Sequence, residues 1–329
     1  MSPRFSGARV APVVLAVAGL LGATACAPSA AGAADGGPVQ VLASFYPLQY
    51  VAEQVGGEHV AVEPLTPPGA EPHDVELSPR QVRSVGDADL VVYLGGFQPA
   101  VDAAVEARAP EHAVDAAATP AVAEHLGAGS EDADHAEEEE SDEDHADEAG
   151  TADDGHGHEG GDPHFWLDPT LLALVAGDVA AALGEVDPEH ADDFTANAAA
   201  LAADLDALDT DLADGLAQCE QRVVVVSHEA FGYLAERYDL EQVGISGLDP
   251  EAEPSPARLR DIRATVEEHG VTTIFTETLV SPKVAETLAA DLGVGTAVLD
   301  PVESQASDAD YREVMEQNLA ALRDALTCT

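Results

Sequence analysis

The sequence predicts an α/β protein with two Rossmann-like lobes joined by one long rigid helix. Three observations predict this class. Short apolar runs alternate with helical stretches in the first half of the chain, and the same alternation returns near its end. Between the two, apolar residues recur at three-, four- and seven-residue steps, which is the pattern of a single long helix. With 329 residues, the chain is long enough for two lobes of ordinary size.

Residues 1–25 are predicted to be an export signal. Two arginines precede an apolar run over residues 10–21 that is too short to span a bilayer. The following Ala23-Thr24-Ala25-Cys26 resembles a bacterial lipoprotein cleavage site, so Cys26 is the predicted lipidation site. An ordinary signal peptide cleaved after Ala-x-Ala is the alternative. We therefore expect an extracytoplasmic protein held at the outer face of the cell membrane by lipid on Cys26, or secreted or periplasmic if it is not lipidated.

The first lobe is predicted over residues 39–185, after a flexible tether of small residues over 26–38. Its predicted strands cover 39–45, 60–65 and 90–94, and its predicted helices cover 47–55, 81–85 and 170–183. The near-continuous apolar run Leu90–Leu94 is typical of a parallel strand that is buried on both faces.

An acidic loop interrupts this lobe over residues 129–162. It holds 16 acidic residues, four histidines and no aromatic or basic residue, so we expect it to be disordered. The histidines are His135, His145, His156 and His158. Clustered histidines often bind metal, which suggests an auxiliary, low-affinity metal-binding loop; a solvated insertion with incidental histidines is the alternative.

The predicted linking helix covers 186–217, and the second lobe covers 218–329. Phe194, Leu201, Leu205, Leu208, Leu212 and Leu216 form one apolar stripe along the helix. The second lobe is predicted to have strands at 223–226, 242–245, 271–275 and 296–299, and a last helix over 311–326.

Charge and cysteine content restrict the partners and the compartment. The net charge of −50 repels nucleic acid and attracts cations. Lipidation of Cys26 leaves Cys219 and Cys328, which we expect to pair in an oxidising compartment. Two separate buried thiols are the alternative.

Three histidines lie in loops that we place after strands, where α/β folds build their ligand sites. His73 stands in Gly69-Ala70-Glu71-Pro72-His73-Asp74, His164 in Asp162-Pro163-His164-Phe165-Trp166-Leu167-Asp168-Pro169, and His228 in Ser227-His228-Glu229-Ala230-Phe231-Gly232-Tyr233.

These segments resemble the metal-binding signatures of the cluster A-I family, the solute-binding lipoproteins of zinc and manganese ABC importers. The resemblance extends from about residue 39 to 326. It implies two α/β lobes with a metal site in the cleft between them, and His73, His164 and His228 as imidazole ligands. A carboxylate near the end of the second lobe completes the family's site. Glu303 matches it best in this chain, Asp300 is the second candidate, and water is the third.

The resemblance implies a monomer that captures Zn²⁺ with high affinity and delivers it to an ABC transporter permease. Three imidazoles and one carboxylate suit four-coordinate Zn²⁺, whereas Mn²⁺ prefers more oxygen ligands. Manganese members also tend to carry a carboxylate where His228 stands. A manganese-binding homologue and a surface adhesin or metal-buffering lipoprotein are alternatives. A zinc hydrolase is disfavoured because the helical His-Glu-x-x-His pattern is absent, so the chain is predicted not to be an enzyme.

Overall fold

The first lobe is built on a four-stranded parallel sheet whose central strands are buried. The computed structural model describes residues 37–134 and 161–329. The strands are β1 (Val39–Ala43), β2 (Val60–Pro64), β3 (Leu90–Tyr93) and β4 (Ala113–Asp115), in the order β2-β1-β3-β4. The helices are α1 (Tyr46–Gly56), α2 (Pro79–Asp87), α3 (Pro99–Arg108), α4 (Pro120–Asp134) and α5 (Pro169–Val186). Apolar runs and buried parallel strands therefore coincide, as predicted.

The second lobe repeats this topology. Its strands are β5 (Val223–Val226), β6 (Glu241–Gly244), β7 (Thr273–Thr276) and β8 (Gly295–Val298), in the order β6-β5-β7-β8, and all pairs are parallel. Its helices are α7 (Gly232–Arg237), α8 (Pro256–His269), α9 (Lys283–Leu292) and α10 (Tyr311–Ala325). The two-lobed α/β class predicted from the sequence is thus confirmed.

The long helix α6 (Ala191–Leu216) provides a core that both lobes share. Its predicted stripe is buried throughout, from Phe194 to Leu216. One continuous apolar cluster joins this stripe to α5 and β1 of the first lobe and to β5 and α10 of the second. Because separating the lobes would expose this cluster to water, the shared core resists wide hinge opening.

Helix α5 packs beside α6 as a core helix. By length and composition alone it is apolar enough to cross a membrane. Its residues Leu172, Val175, Ala176 and Val179 are nevertheless fully buried within the protein. Asp168 caps its first turn by accepting from the backbone N–H of Thr170 at 2.8 Å, which fixes where the preceding loop ends.

The structure adds elements that the sequence pattern did not predict. Helix α3 and the three-residue strand β4 lie in a stretch for which no element was predicted. Helix α4 continues to Asp134, so the first six residues of the predicted acidic loop are helical. A helix that has already nucleated extends at low cost through Ala-, Glu- and Asp-containing sequence. Likewise α6 begins at Ala191 and not at 186, because α5 extends to Val186 before a short turn.

A disulfide joins Cys219 to Cys328, as predicted. The two cysteines also form an isolated antiparallel bridge at the base of the second lobe. Cys219 follows α6 and Cys328 lies one residue from the end of the chain. The bond therefore ties the terminus to the start of the lobe.

Candidate metal centre

Three imidazoles and one carboxylate meet between the two lobes. His73 lies in the loop after β2, His228 directly follows β5, and Glu303 lies beyond β8. His164 comes from the segment between α4 and α5, so the prediction that its loop follows a strand is wrong. The four ligand atoms lie within 4.8 Å of one another, and all four residues are buried. Within residues 37–134 and 161–329, this is the one such group of metal-binding side chains.

The distances from Glu303 to the three histidines are close to the donor separations around a tetrahedral metal ion. The Nε2 atoms of His164, His73 and His228 lie 3.0, 3.2 and 3.5 Å from Oε1 of Glu303. Four donors at 2.0–2.1 Å from a tetrahedral Zn²⁺ are separated by about 3.3 Å. The ring centroids stand 5.3 to 5.8 Å apart, so the rings surround one point and do not stack.

Asp162 orients His164 from behind. Its Oδ1 accepts from Nδ1 of His164 at 2.7 Å and from the backbone N–H of His164 at 3.0 Å. A proton held on Nδ1 leaves Nε2 as the atom that faces the centre. Burial alone would lower the pKa of His164, but the charge and hydrogen bond of Asp162, followed by Glu303, outweigh burial and raise it.

Glu277 performs the same function for His228. Its carboxylate accepts from Nδ1 of His228 at 2.8 Å and from the backbone N–H of His228 at 3.2 Å. Burial opposes the charged ring, but the hydrogen bonds to Glu277 and Glu303 raise the pKa of His228 to about 10. Burial would raise the pKa of Glu303, yet its three histidine contacts hold that pKa well below the usual range.

Trp166 fixes the loop that carries His164 through two hydrogen bonds. Trp166 is fully buried and donates from Nε1 to the carbonyl of Pro301 at 2.7 Å. Its own carbonyl accepts from the hydroxyl of Tyr311 at 2.6 Å. Both partners belong to the second lobe. The segment bearing His164 is therefore anchored across the cleft, next to the segment bearing Glu303.

A further carboxylate and a link between the lobes lie beside the centre. Oε1 of Glu71 lies 3.9 Å from Nε2 of His73 and accepts the backbone N–H of His73 at 2.9 Å. Burial raises the pKa of Glu71. The backbone N–H of Gly69 donates to Ser304 at 2.8 Å, which closes the loop of His73 against the second lobe.

The structure brings Glu303 into the group and leaves Asp300 outside it. The carboxylate of Asp300 accepts from the backbone N–H of Val302 at 2.8 Å and from the hydroxyl of Thr278 at 3.0 Å. Asp300 thus stabilises the turn that presents Glu303. The predicted lipidation site Cys26 and the loop histidines His135, His145, His156 and His158 lie outside the described residues.

No role for Asp162 or Glu277 was predicted from the sequence. A usable signal existed for both of them. Asp162 stands two residues before His164 in the run already singled out, and Glu277 directly follows β7, at the same sheet edge as His228. A carboxylate behind a metal-binding imidazole is a general feature of such sites.

Comparison with known proteins gives one consistent result. Residues 41–325 match the family model described as the periplasmic component A (ZnuA) of the zinc-uptake complex. The chain is 35% identical over 321 residues to the high-affinity zinc uptake system protein ZnuA of Bacillus subtilis, covering 95% of this chain and 96% of that protein. It is 36% identical over 293 residues to the zinc-binding lipoprotein AdcA of Streptococcus pneumoniae, covering 87% of this chain. The chain spans 56% of the length of AdcA.

Solved structures of similar proteins share the fold. The Zn(II)-bound ZnuA-like domain of AdcA from Streptococcus pneumoniae superimposes with a TM-score of 0.68 at 31% identity, covering 88% of this chain and 99% of that domain. The laminin-binding protein Lmb of Streptococcus agalactiae, titled a bifunctional protein with adhesin and metal-transporting activity, superimposes with a TM-score of 0.71 at 30% identity. Its coverage is 88% of this chain and 99% of Lmb.

Proposed function

Because this chain belongs to the ZnuA family of periplasmic zinc-uptake components, we propose that it captures Zn²⁺ outside the cytoplasm and delivers it to the permease of an ABC-type importer. Two relatives named for zinc uptake and zinc binding support the cargo. The acidic surface supports capture, since a net charge of −50 raises the local concentration of cations.

The observation that carries this proposal is the buried group of His73, His164, His228 and Glu303. Three nitrogen donors and one oxygen donor, all within 4.8 Å of one another, are a ligand set that suits Zn²⁺. A manganese carrier would be expected to offer more oxygen ligands. Zinc is therefore the proposed cargo, and manganese is the alternative.

Capture and release follow from how the lobes divide the donors. His73 and His164 belong to the first lobe, whereas His228 and Glu303 belong to the second. The core shared around α6 limits hinge motion, so small loop shifts open and close the site. In this proposal, the docked permease displaces part of the second lobe and removes two of the four ligands at once.

The same coordination argues for a carrier and against a catalyst. A catalytic zinc site keeps one position open for water or substrate. The four proposed donors would fill a tetrahedral shell and leave no position for an activated water. The proposed function therefore includes no enzymatic step.

The test is the metal content and affinity of purified protein. Protein isolated without added metal is expected to contain zinc, and zinc is expected to outcompete manganese in titration calorimetry. His228→Ala should lower zinc affinity by orders of magnitude. The matched control is His269→Ala at an exposed position at the end of α8, which should bind as the wild type does. Equal binding by the two variants, or a preference for manganese, would contradict the proposal.

Two parts of the proposal concern residues outside the described ranges. We propose that Cys26 carries the lipid anchor, which mass spectrometry of membrane-extracted protein would detect as an acylated N-terminal cysteine. We also propose that His135, His145, His156 and His158 collect zinc with low affinity. A solved ZnuA deletion mutant with zinc bound provides a precedent for testing this by deletion. Removing 135–160 should leave one tight site and lower the total zinc bound; unchanged stoichiometry would contradict the collecting role.

Adhesion is a second candidate function, supported by the resemblance to Lmb. Immobilised laminin is the direct probe, with bovine serum albumin as the matched surface. Saturable binding to laminin alone would support adhesion. Binding to neither surface would leave transport as the single function proposed.

A further inference from the structure

Asp162 contacts both of the lobes that supply metal ligands. Through Oδ1 it holds the ring and the backbone of His164 in the first lobe. Through its backbone carbonyl it accepts the hydroxyl of Tyr233, on α7 of the second lobe, at 3.1 Å. Its carboxylate contacts Nδ1 of His164, on the side of the ring away from the centre, so Asp162 is not itself a ligand candidate.

The second carboxylate oxygen of Asp162 fits against a glycine of α7. A Cβ atom added at Gly232 would collide with Oδ2 of Asp162. The φ of Gly232 is not positive, so the backbone itself does not require glycine at this position. The requirement is steric, because any side chain at Gly232 would push the carboxylate that orients His164.

Helix α7 is fixed at its other end as well. Arg237 donates two parallel hydrogen bonds of 2.8 Å to Asp209 of α6. The Nε of Arg237 also lies 3.6 Å from Asp168, which ends the loop of His164. The two aspartates that bracket His164 therefore both contact α7, and α7 begins four residues after His228.

We propose that Asp162 is a positioning residue that fixes His164 as an Nε2 ligand and, by packing against Gly232, sets its location relative to His228 across the cleft. This inference rests on the proposed zinc-carrier function and deepens it. Glu277 orients His228 from within the second lobe, whereas Asp162 acts between lobes. Removing such an outer partner in metal sites typically costs 10–100-fold in metal affinity.

The test is a double-mutant cycle on zinc affinity, measured by competition with a chromophoric chelator on the full chain. Asp162→Ala and Gly232→Ala should each weaken zinc binding, the first by about 10–100-fold. In the double variant, Gly232→Ala should add less than about twofold, because no carboxylate remains for its methyl group to displace. Gly177→Ala on α5, where an added Cβ meets no atom within 4 Å, is the matched control and should bind as the wild type does.

Cobalt(II) substitution separates positioning from a general loss of structure. The visible d–d absorption of the cobalt-loaded protein should change in Asp162→Ala and Gly232→Ala and remain unchanged in Gly177→Ala. Asp162→Asn, whose amide oxygen can still accept from Nδ1, should recover part of the affinity lost in Asp162→Ala. Melting temperatures of the metal-free proteins identify any variant that fails to fold. If Asp162→Ala fails to fold, the cobalt spectrum of Asp162→Asn is compared with that of the wild type instead.

Two outcomes would overturn the inference. Wild-type affinity and an unchanged cobalt spectrum in Asp162→Ala would remove Asp162 from the site. Fully additive losses in the double variant would show that Gly232 does not act through Asp162. In both cases the wild type still binds zinc, so the proposed function stands; a wild type that binds no zinc would instead refute that function.

Discussion

Zinc affinity should rise steeply with pH, because zinc must displace a proton from His228. In the structure His228 donates from Nδ1 to Glu277, and Glu277 and Glu303 together raise its pKa to about 10. Zinc needs a free lone pair on Nε2, so the proton on that atom must leave. The two perturbations are therefore the pH and Glu277→Gln. This substitution removes one of the two carboxylates that stabilise the protonated ring of His228.

The magnitude follows from the distance between the pKa and the working pH. At pH 7, releasing a proton from a group with a pKa of about 10 costs about 4 kcal/mol, at 1.36 kcal/mol per unit. Below pH 10 the logarithm of the zinc association constant should rise by at least one per pH unit. The raised pKa of His164 adds to this slope at lower pH. Above the pKa of each ring its contribution ends, since no proton remains to be displaced.

Two measurements check this prediction. Chelator competition from pH 6.0 to 8.5, corrected for the chelator's own protonation, gives the slope. Calorimetry at pH 7 in buffers of different ionisation enthalpy counts the protons released, and at least one is expected. In Glu277→Gln the pKa of His228 should fall and the slope should flatten at the alkaline end. A zinc affinity that is constant over this range, or binding without proton release, would refute the reasoning.

Three further predictions concern the fourth ligand, the disulfide and acid stability. Glu303→Gln should weaken zinc binding in calorimetry by more than about 100-fold, which exceeds the loss typical when a residue that only contacts a ligand is removed. A smaller effect would favour water as the fourth ligand. Replacing Cys219 and Cys328 with serine opens a loop of 109 residues and should cost about 4–5 kcal/mol in urea unfolding. Zinc affinity should not change, because Cys219 precedes β5 and the site lies beyond its far end. The hydrogen bonds from Arg237 lower the pKa of Asp209. The wild type should therefore be more stable than Asp209→Asn above about pH 4, and this difference should disappear as the pH falls further. A constant difference in urea midpoints would contradict this.

The sequence predicted those elements whose signal is local. Four consecutive valines predicted β5 without error, and the leucine stripe predicted the buried face of α6. Strand β4 has only three residues, too few for any apolar pattern to register. The acidic loop was predicted to begin at residue 129, whereas α4 continues to Asp134, because composition alone does not show where a helix ends.

The sequence predicted the three histidines of the candidate site and left the fourth ligand open. His73, His164 and His228 stand in recognisable sequence runs, and these runs predicted that the three side chains would converge. The choice between Glu303 and Asp300 required the turn itself, since both lie beyond β8 and differ by three residues. Of the outer carboxylates, Asp162 is two residues from His164, whereas Glu277 contacts His228 from a segment 49 residues away. No local pattern reports such a contact.

The turn between Asp300 and Glu303 explains why Glu303, and not Asp300, lies with the three histidines. Val302 has a φ of 58°, a left-handed conformation that costs a β-branched residue about 1–3 kcal/mol. Such a conformation persists only where its surroundings enforce it. Asp300 accepts the backbone N–H of Val302, and Asn318 of α10 holds both the N–H and the carbonyl of Asp300. The carboxylate of Asp300 is thus engaged in enforcing the strained turn, and that turn directs Glu303 toward the three imidazoles.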